Sequence, residues 1–399
     1  MKGAAYMGQW LSNVHVNGGL HDIYLDQGII TQIVPGASDW EKITWDAQGM
    51  LMLPTFKDYH VHLDKAFPDQ EWVSRRKVDS LFKQFQMEKD LLAPMKSGQK
   101  ERARTILQQM LAFGTTRLRV HVDIDPEIGL THLEMVRGLQ EEFKSRMDIE
   151  IVAFPQQGLI RSQSVSLIKQ ALEEGASIVG GVDPAGVDRD IEACLNAIFE
   201  LCVAYDAEAD IHLHDPGHLG LFTLERIMDY TEQSSKSGKV AVSHAYCLGQ
   251  VSEAESLAIA ERLGALDIAI ITSVPIDSAM PRVAQLTSQG VRVYVGSDHT
   301  GLDAWTPFGF TDQLARGRRM ADMNRWNDDE RLRSVYPYLG STAAAFQIGD
   351  PADFILLDAI NAEHAIAAAP PREIVSVRGV PVAGRQLERA WKIRSDSQE

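Results

Sequence analysis

Cysteine is scarce in this chain. Its 399 residues include three, Cys194, Cys202 and Cys247, and none pair in a C-x-x-C spacing. A disulfide framework or a thiolate zinc site is therefore not expected, and a reducing, cytoplasmic setting suits the composition. Positive charge is scarce as well. Lys and Arg number 39 against 55 Asp and Glu, a net charge of −16. That balance argues against nucleic acid or an anionic membrane surface as partner, since both call for a basic face. No apolar run approaches the length of a membrane span, and the first residues, Met-Lys-Gly-Ala-Ala-Tyr-Met-Gly, lack the continuous apolar stretch of a signal peptide. Neither a G-x-G-x-x-G after the first strand nor a Walker pattern occurs. The H-x-E with P-C-x-x-C of helix-borne zinc deaminases is also missing, which excludes base editing on a polynucleotide by that route. What is present is 45% hydrophobic and 24% charged, a composition able to bury a large core. The oligomeric state, a homo-oligomer included, is left open.

Both ends of the chain read as short strands. Ile23-Tyr-Leu and Gly28-Ile-Ile-Thr-Gln-Ile-Val near the start are β-branched and separated by turn residues, and Ala352-Asp-Phe-Ile-Leu-Leu-Asp and Glu373-Ile-Val-Ser-Val return the style near the end. Residues 1–50 and 349–399 are thus expected to meet in one small β-sandwich, around a catalytic barrel over 51–348. Strands are expected at 51–57, 117–122, 150–154, 177–182, 210–213, 240–243, 267–272 and 291–295. Helical patterns lie between them. One runs 163–174, with Ser162 as its cap and Gly175 as its stop; another runs 191–204, with Leu195, Ile198, Phe199 and Cys202 on one face. This alternation predicts an α/β fold, a (β/α)8 TIM-like barrel.

In such a barrel, chemistry sits at the C-terminal ends of the strands. His60 and His62 stand in Pro54-Thr-Phe-Lys-Asp-Tyr-His-Val-His-Leu-Asp-Lys65. Residues two apart on a strand share a face, so both imidazoles can reach one ion. Two nearby histidines are common by chance; their company is not. His212, His244 and Asp298 also fall at the ends of strand-like runs.

Three neutral imidazoles and a carboxylate suit Zn²⁺ or Fe²⁺ with a position left for water, which the ion would acidify into a nucleophile near neutral pH. His244 is then free to steady the developing oxyanion, and Asp298 can both bind the ion and take a proton. Asp215, in Ile211-His-Leu-His-Asp-Pro-Gly, is placed to pass a proton to a leaving nitrogen. His214 shares a face with His212, so the ligand between them stays open, with His212 favoured as nearer the strand body. Asp298 could instead cap a helix, and Asp215 before Pro216 could set a turn. His15, His121, His132 and His218 read as structural or surface histidines. The fourth strand, Ser177-Ile-Val-Gly-Gly-Val-Asp-Pro, holds no lysine that could bridge two metals, so one divalent ion is expected.

Taken together, these motifs resemble the amidohydrolase superfamily and within it the cytosine deaminase-like branch. The likeness runs through Arg119-Val-His-Val-Asp, Val152-Ala-Phe-Pro-Gln-Gln-Gly, Asp210-Ile-His-Leu-His-Asp, Ser243-His-Ala, Gly296-Ser-Asp and Gly349-Asp-Pro-Ala-Asp-Phe. It implies a one-metal barrel with ligands His60, His62, His212 and Asp298, and catalytic roles for His244, Asp215 and Asp298. Gln156 matches a glutamine that contacts the substrate ring. The branch's cytosine deaminases look to have a glutamate where this chain has Asp215 and an acid where it has His299, which puts cytosine itself in doubt. His212-Leu-His-Asp-Pro-Gly, Ser243-His-Ala-Tyr-Cys and His62-Leu-Asp-Lys65 look closer to the N-isopropylammelide isopropylamidohydrolases, which take an alkylamine from a triazine ring. By that similarity Lys65 would face a ring oxygen or its anion. Trp305 is a pocket candidate by position. The reading is a metal-dependent hydrolase that removes an exocyclic amino or alkylamino group from a small N-heterocycle, whether the leaving group is ammonia or an alkylamine. Opening of a cyclic amide ring and a non-catalytic barrel are the alternatives.

Overall fold

The computed structural model describes residues 8–36, 45–65, 67, 72, 76–342 and 345–390. Eight strands form one sheet in unbroken sequential order: Phe56–Val61, Thr115–Asp123, Asp148–Phe154, Ile178–Val182, Glu208–Leu213, Val240–His244, Ala269–Thr272 and Val293–Val295. From the second strand on, every neighbouring pair is parallel. The last strand meets the first through a parallel bridge between Val61 and Asp298. Helices separate the strands, as in a (β/α)8 barrel.

The helix Ile191–Ala204 forms where its apolar spacing put it, with Asp190 accepting from the Ala193 amide at its start and Cys194, Leu195, Ile198, Phe199 and Cys202 buried. The helix Glu253–Ala265 opens on a full capping box between Ser252 and Glu255. The helix expected at 163–174 starts later. It spans Val165–Glu173 with Ser164, not Ser162, at its N-cap, because Gln163 takes a left-handed conformation at φ 58° that a helix cannot include.

A second, mostly antiparallel sheet is built from both chain ends. Its order is Val380–Ala383, Arg372–Val377, Phe354–Leu357, Leu51–Pro54, Gln9–Val16, Gly19–Asp26 and Ile29–Pro35, with Trp45–Asp46 alongside Gln9–Val16. Leu11, Ile23, Ile30, Met52, Phe354 and Ile374 form its core. The strand expected at 51–57 divides here. Leu51–Pro54 pairs with Phe354–Leu357, Met52 opposite Leu356, and the barrel strand starts only at Phe56. The wholly apolar Leu51-Met-Leu suits a strand covered on both faces, and the break after Pro54 separates the two. His60 consequently lies inside the first barrel strand rather than beyond it.

Residue contacts divide the chain into two compact units, one of 1–57, 107–116 and 312–399 and one of 58–106 with 117–311. Among the described residues, no helix is long and apolar enough to cross a membrane.

Candidate active site

The candidate residues converge at the C-terminal ends of the barrel strands. His60 and His212 are each the penultimate residue of a strand, His244 is a last residue, and Asp298 follows the eighth strand. All four are buried. The ligand-type atoms of His60, His244 and Asp298 lie within 4.8 Å of one another, and so do those of His60, His121 and His212. Nε2 of His60 stands 3.6 Å from Asp298 Oδ1, and Nε2 of His62 stands 3.7 Å from the same oxygen.

Barrel closure sets these distances. The Asp298 amide donates to the His60 carbonyl at 2.7 Å, and the Ser297 amide donates to Asp58 Oδ1 at 2.9 Å. Gly296 is required at this seam, since a Cβ there would lie 2.3 Å from the Cβ of His60 and 2.7 Å from its backbone nitrogen. At the same rim Asp183, His244 and Asp298 have φ of 37°, 72° and 58°, in the left-handed region that most non-glycine residues avoid.

A chain of hydrogen bonds orients His60. Ser243 Oγ donates to Asp210 Oδ1 at 2.7 Å, so toward His60 Nδ1, 2.8 Å away, it can only accept. Nδ1 therefore carries the ring proton and Nε2 presents a lone pair to the cluster, the arrangement a metal-ligating imidazole needs. Asp210 is anchored in turn by Arg119 Nη1 at 3.1 Å. Burial pushes the pKa values of His60, His62, His121, His212 and His244 below the usual imidazole range, so these rings are held neutral. Nε2 of His60 and both ring nitrogens of His212 and of His121 are buried without a hydrogen-bond partner. Orphaned neutral imidazole nitrogens beside a carboxylate are a donor set that fits a divalent metal ion.

His214 stands apart from that set. Its Nδ1 donates to Asp183 Oδ2 at 2.8 Å, and although burial opposes its charge, Asp183 outweighs it and raises the pKa. Its ring stacks on that of His244, centroids 4.5 Å apart. Asp183 Oδ1 also accepts the Asp215 amide at 3.0 Å, while Asp215 Oδ2 takes the Gly186 amide at 3.2 Å. Burial and the neighbouring Asp183 raise the Asp215 carboxyl to about 6.

His299 is held between two carboxylates, Nε2 at 3.2 Å from Asp298 Oδ2 and Nδ1 at 2.7 Å from Asp303 Oδ2. Burial opposes its charge, but the two acids lift its pKa to about 10. Asp298 caps no helix; the next one, Gln313–Asn324, is capped by Asp312.

Lys65, Gln156 and Trp305 meet beside the cluster. Lys65 Nζ donates to Gln156 Oε1 and lies 5.2 Å from the centre of the Phe154 ring, which also stacks on His212 at 4.0 Å. Trp305 packs with Phe82, Phe85, Phe154 and Val187 as an apolar wall.

His121, read as a structural or surface histidine, is fully buried, with its ring centroid 3.8 Å from that of His60. One residue of this region has no counterpart in the sequence reading. Glu88, on the helix Leu81–Leu92, accepts from Gln156 Nε2 at 2.6 Å and from the Trp305 indole. The Arg119-Val-His-Val-Asp motif carried a signal for His121; nothing in the helical pattern marked Glu88. The other histidines are engaged elsewhere, His132 with Asp64 at 3.1 Å and His218 with Glu255 at 2.8 Å on the surface.

Comparison with known proteins adds a second line. A profile described as the amidohydrolase family matches residues 75–387. The uncharacterized protein YahJ of Escherichia coli strain K12 is 32% identical over 352 residues, covering 85% of this chain and 76% of its own length. The crystal structure of N-isopropylammelide isopropylaminohydrolase from Burkholderia multivorans superposes with a TM-score of 0.86 at 30% identity, over 95% of this chain and 98% of that one. That of 5-methylcytosine deaminase from Klebsiella pneumoniae does so with a TM-score of 0.78 at 23% identity, over the same shares, a likeness of fold.

Proposed function

The chain belongs to the amidohydrolase family, hydrolases of carbon–nitrogen bonds other than peptide bonds, and from that premise we propose that it removes an exocyclic amino or alkylamino group from a small N-heterocycle such as a pyrimidine or triazine. The observation that carries the reading is the set of buried imidazole nitrogens without partners gathered around His60, which itself faces Asp298, together with an Asp215 carboxyl raised to about 6.

One divalent ion, Zn²⁺ or Fe²⁺, held by His60, His62, His212 and Asp298, would supply a water acidic enough to attack near neutral pH. His212 is chosen over His214 because its ring nitrogens are unpartnered, whereas His214 is bonded to Asp183. Asp298 would help hold the ion, and its carboxylate would also take the proton released by the attacking water. His244, whose Nδ1 lies 4.0 Å from Asp298 Oδ2, steadies the negative charge that develops on the ring carbon's new oxygen. Asp215, its carboxyl raised to about 6 and so within reach of protonation below neutral pH, gives a proton to the departing nitrogen, which leaves as ammonia or an alkylamine. Lys65 and Gln156 hold the ring edge, Trp305 and Phe154 its faces, and His299 fixes the outer oxygen of Asp298 while turning its ring toward Trp305, centroids 6.5 Å apart.

The similarity to N-isopropylammelide isopropylaminohydrolase at 30% identity supports this substrate class. The test is product detection by mass spectrometry with metal-loaded protein on cytosine, isoguanine, amino- and alkylamino-triazines and cyclic amides. Loss of ammonia or alkylamine from an intact ring supports the reading, and a product heavier by one water would replace it with ring opening.

A further inference from the structure

Glu88 is a buried carboxylate that the reaction above does not use. It is 2% exposed, on a helix inserted after the first barrel strand. Its Oε1 accepts from Gln156 Nε2 at 2.6 Å with Lys65 Nζ 3.8 Å away, and its Oε2 accepts from the Trp305 indole. A carboxylate this deep is costly unless paired, and the groups that pair it are the three assigned above to the substrate ring. Phe154 ties this group to the metal-type cluster, lying against Lys65 on one side and His212 on the other.

The pairing fixes hydrogen-bond polarity. A carboxylate only accepts, so the Gln156 amide must turn its nitrogen to Glu88, which leaves its oxygen to Lys65, where the ammonium donates to it. With that oxygen occupied, and with Glu88 and Asp123 at 3.8 and 4.0 Å able to take up part of the ammonium's capacity, the protons left for a substrate are a remaining one of Lys65 and the second N–H of Gln156. Both are donors. Their complement is a ring edge of acceptors, an oxo group or the anion of a hydroxylated ring, and an amino-substituted edge would meet donor with donor.

We propose that Glu88 is a positioning and specificity-determining residue of the ring pocket: by holding Gln156, Lys65 and Trp305 it makes the pocket edge a donor edge that takes oxo-substituted N-heterocycles over amino-substituted ones. This rests on the heterocycle reading of the site. Glu88→Gln would put an amide where the acceptor stood, free Gln156 to turn over, and relax the discrimination.

The test needs no natural substrate. Isothermal titration calorimetry on the full, metal-loaded chain compares cyanuric acid, with three ring oxo groups, with melamine, which has three amino groups. Wild type is expected to bind cyanuric acid roughly tenfold tighter or more, and Glu88→Gln and Glu88→Ala to narrow that ratio by about tenfold with metal content retained. A Glu88 that served only to hold the fold would weaken both ligands alike, leave the ratio unchanged and overturn the proposal. Wild type that prefers melamine, or binds neither compound, overturns it too, whether or not the variants fold. An intact binding preference with no amine released from any heterocycle would leave Glu88 its role and remove the reaction.

Discussion

The backbone amide of Asp298 donates to the carbonyl of His60 at 2.7 Å, so the two residues that close the barrel are also the carboxylate and the imidazole proposed to share an ion. Their side chains stand 3.6 Å apart as a direct consequence of that register. Scaffold and site are therefore one construction at this seam.

Gly296 tests that link. A methyl group there meets the Cβ and backbone nitrogen of His60 rather than a yielding side-chain end. Gly296→Ala is expected to cost about 3 kcal/mol or more of stability and to lower metal content, read by denaturant melts and elemental analysis. A variant as stable as wild type would mean the seam yields.

Removing a ligand should remove both the ion and the reaction. His60→Ala and Asp298→Ala are expected to leave dialysed protein without stoichiometric metal and without turnover. His62→Ala should behave the same way, whereas His121→Ala should retain the ion. The opposite ranking would make His121, whose ring lies 3.8 Å from that of His60, the ligand in place of His62.

Ser243 acts one layer further out. Ser243→Ala deletes the acceptor that holds the His60 ring proton on Nδ1, and an outer-layer loss of this kind weakens metal binding by about 10- to 100-fold. A chelator competition titration reads the difference. Unchanged affinity would show that burial alone orients His60.

Asp215 connects activity with pH. Asp215→Asn is expected to keep its metal and lose turnover. In the metal-free protein the sign for stability is opposite to that for function. The folded carboxyl titrates at about 6 against an ordinary 3.8, so the fold favours its neutral form. That contribution is complete below pH 3.8 and lost as pH rises through 6. Asparagine stays neutral throughout. The variant should be the more stable protein above pH 6, by on the order of 1 kcal/mol once solvent screening is allowed for, with the gap closing in acid. Thermal melts at several pH values would show it.

Much of this architecture was legible in the sequence. Apolar runs alternating with helical patterns marked the barrel, and His60, His62, His212, His244 and Asp298 announced themselves by falling at strand ends. The first strand was misplaced because Leu51-Met-Leu and Phe56-Lys-Asp-Tyr read as one extended run, and only pairing with Phe354–Leu357 separates them. His121 lies in Arg-Leu-Arg-Val-His-Val-Asp, which alternates like a strand with one wet face. Closure of the barrel turns that face inward, where Arg119 and His121 both approach Asp210. Glu88 was invisible for a different reason. A glutamate on an ordinary helix looks solvated until the chain folds that helix over Gln156 and Trp305.

The central claim is hydrolytic loss of an exocyclic amine from an intact ring. Metal-loaded protein incubated in ¹⁸O-labelled water with an alkylamino-oxo-triazine tests it most directly by mass spectrometry. Free alkylamine and a ring product carrying one ¹⁸O are expected. A single product that keeps its amine and gains the mass of labelled water would contradict it.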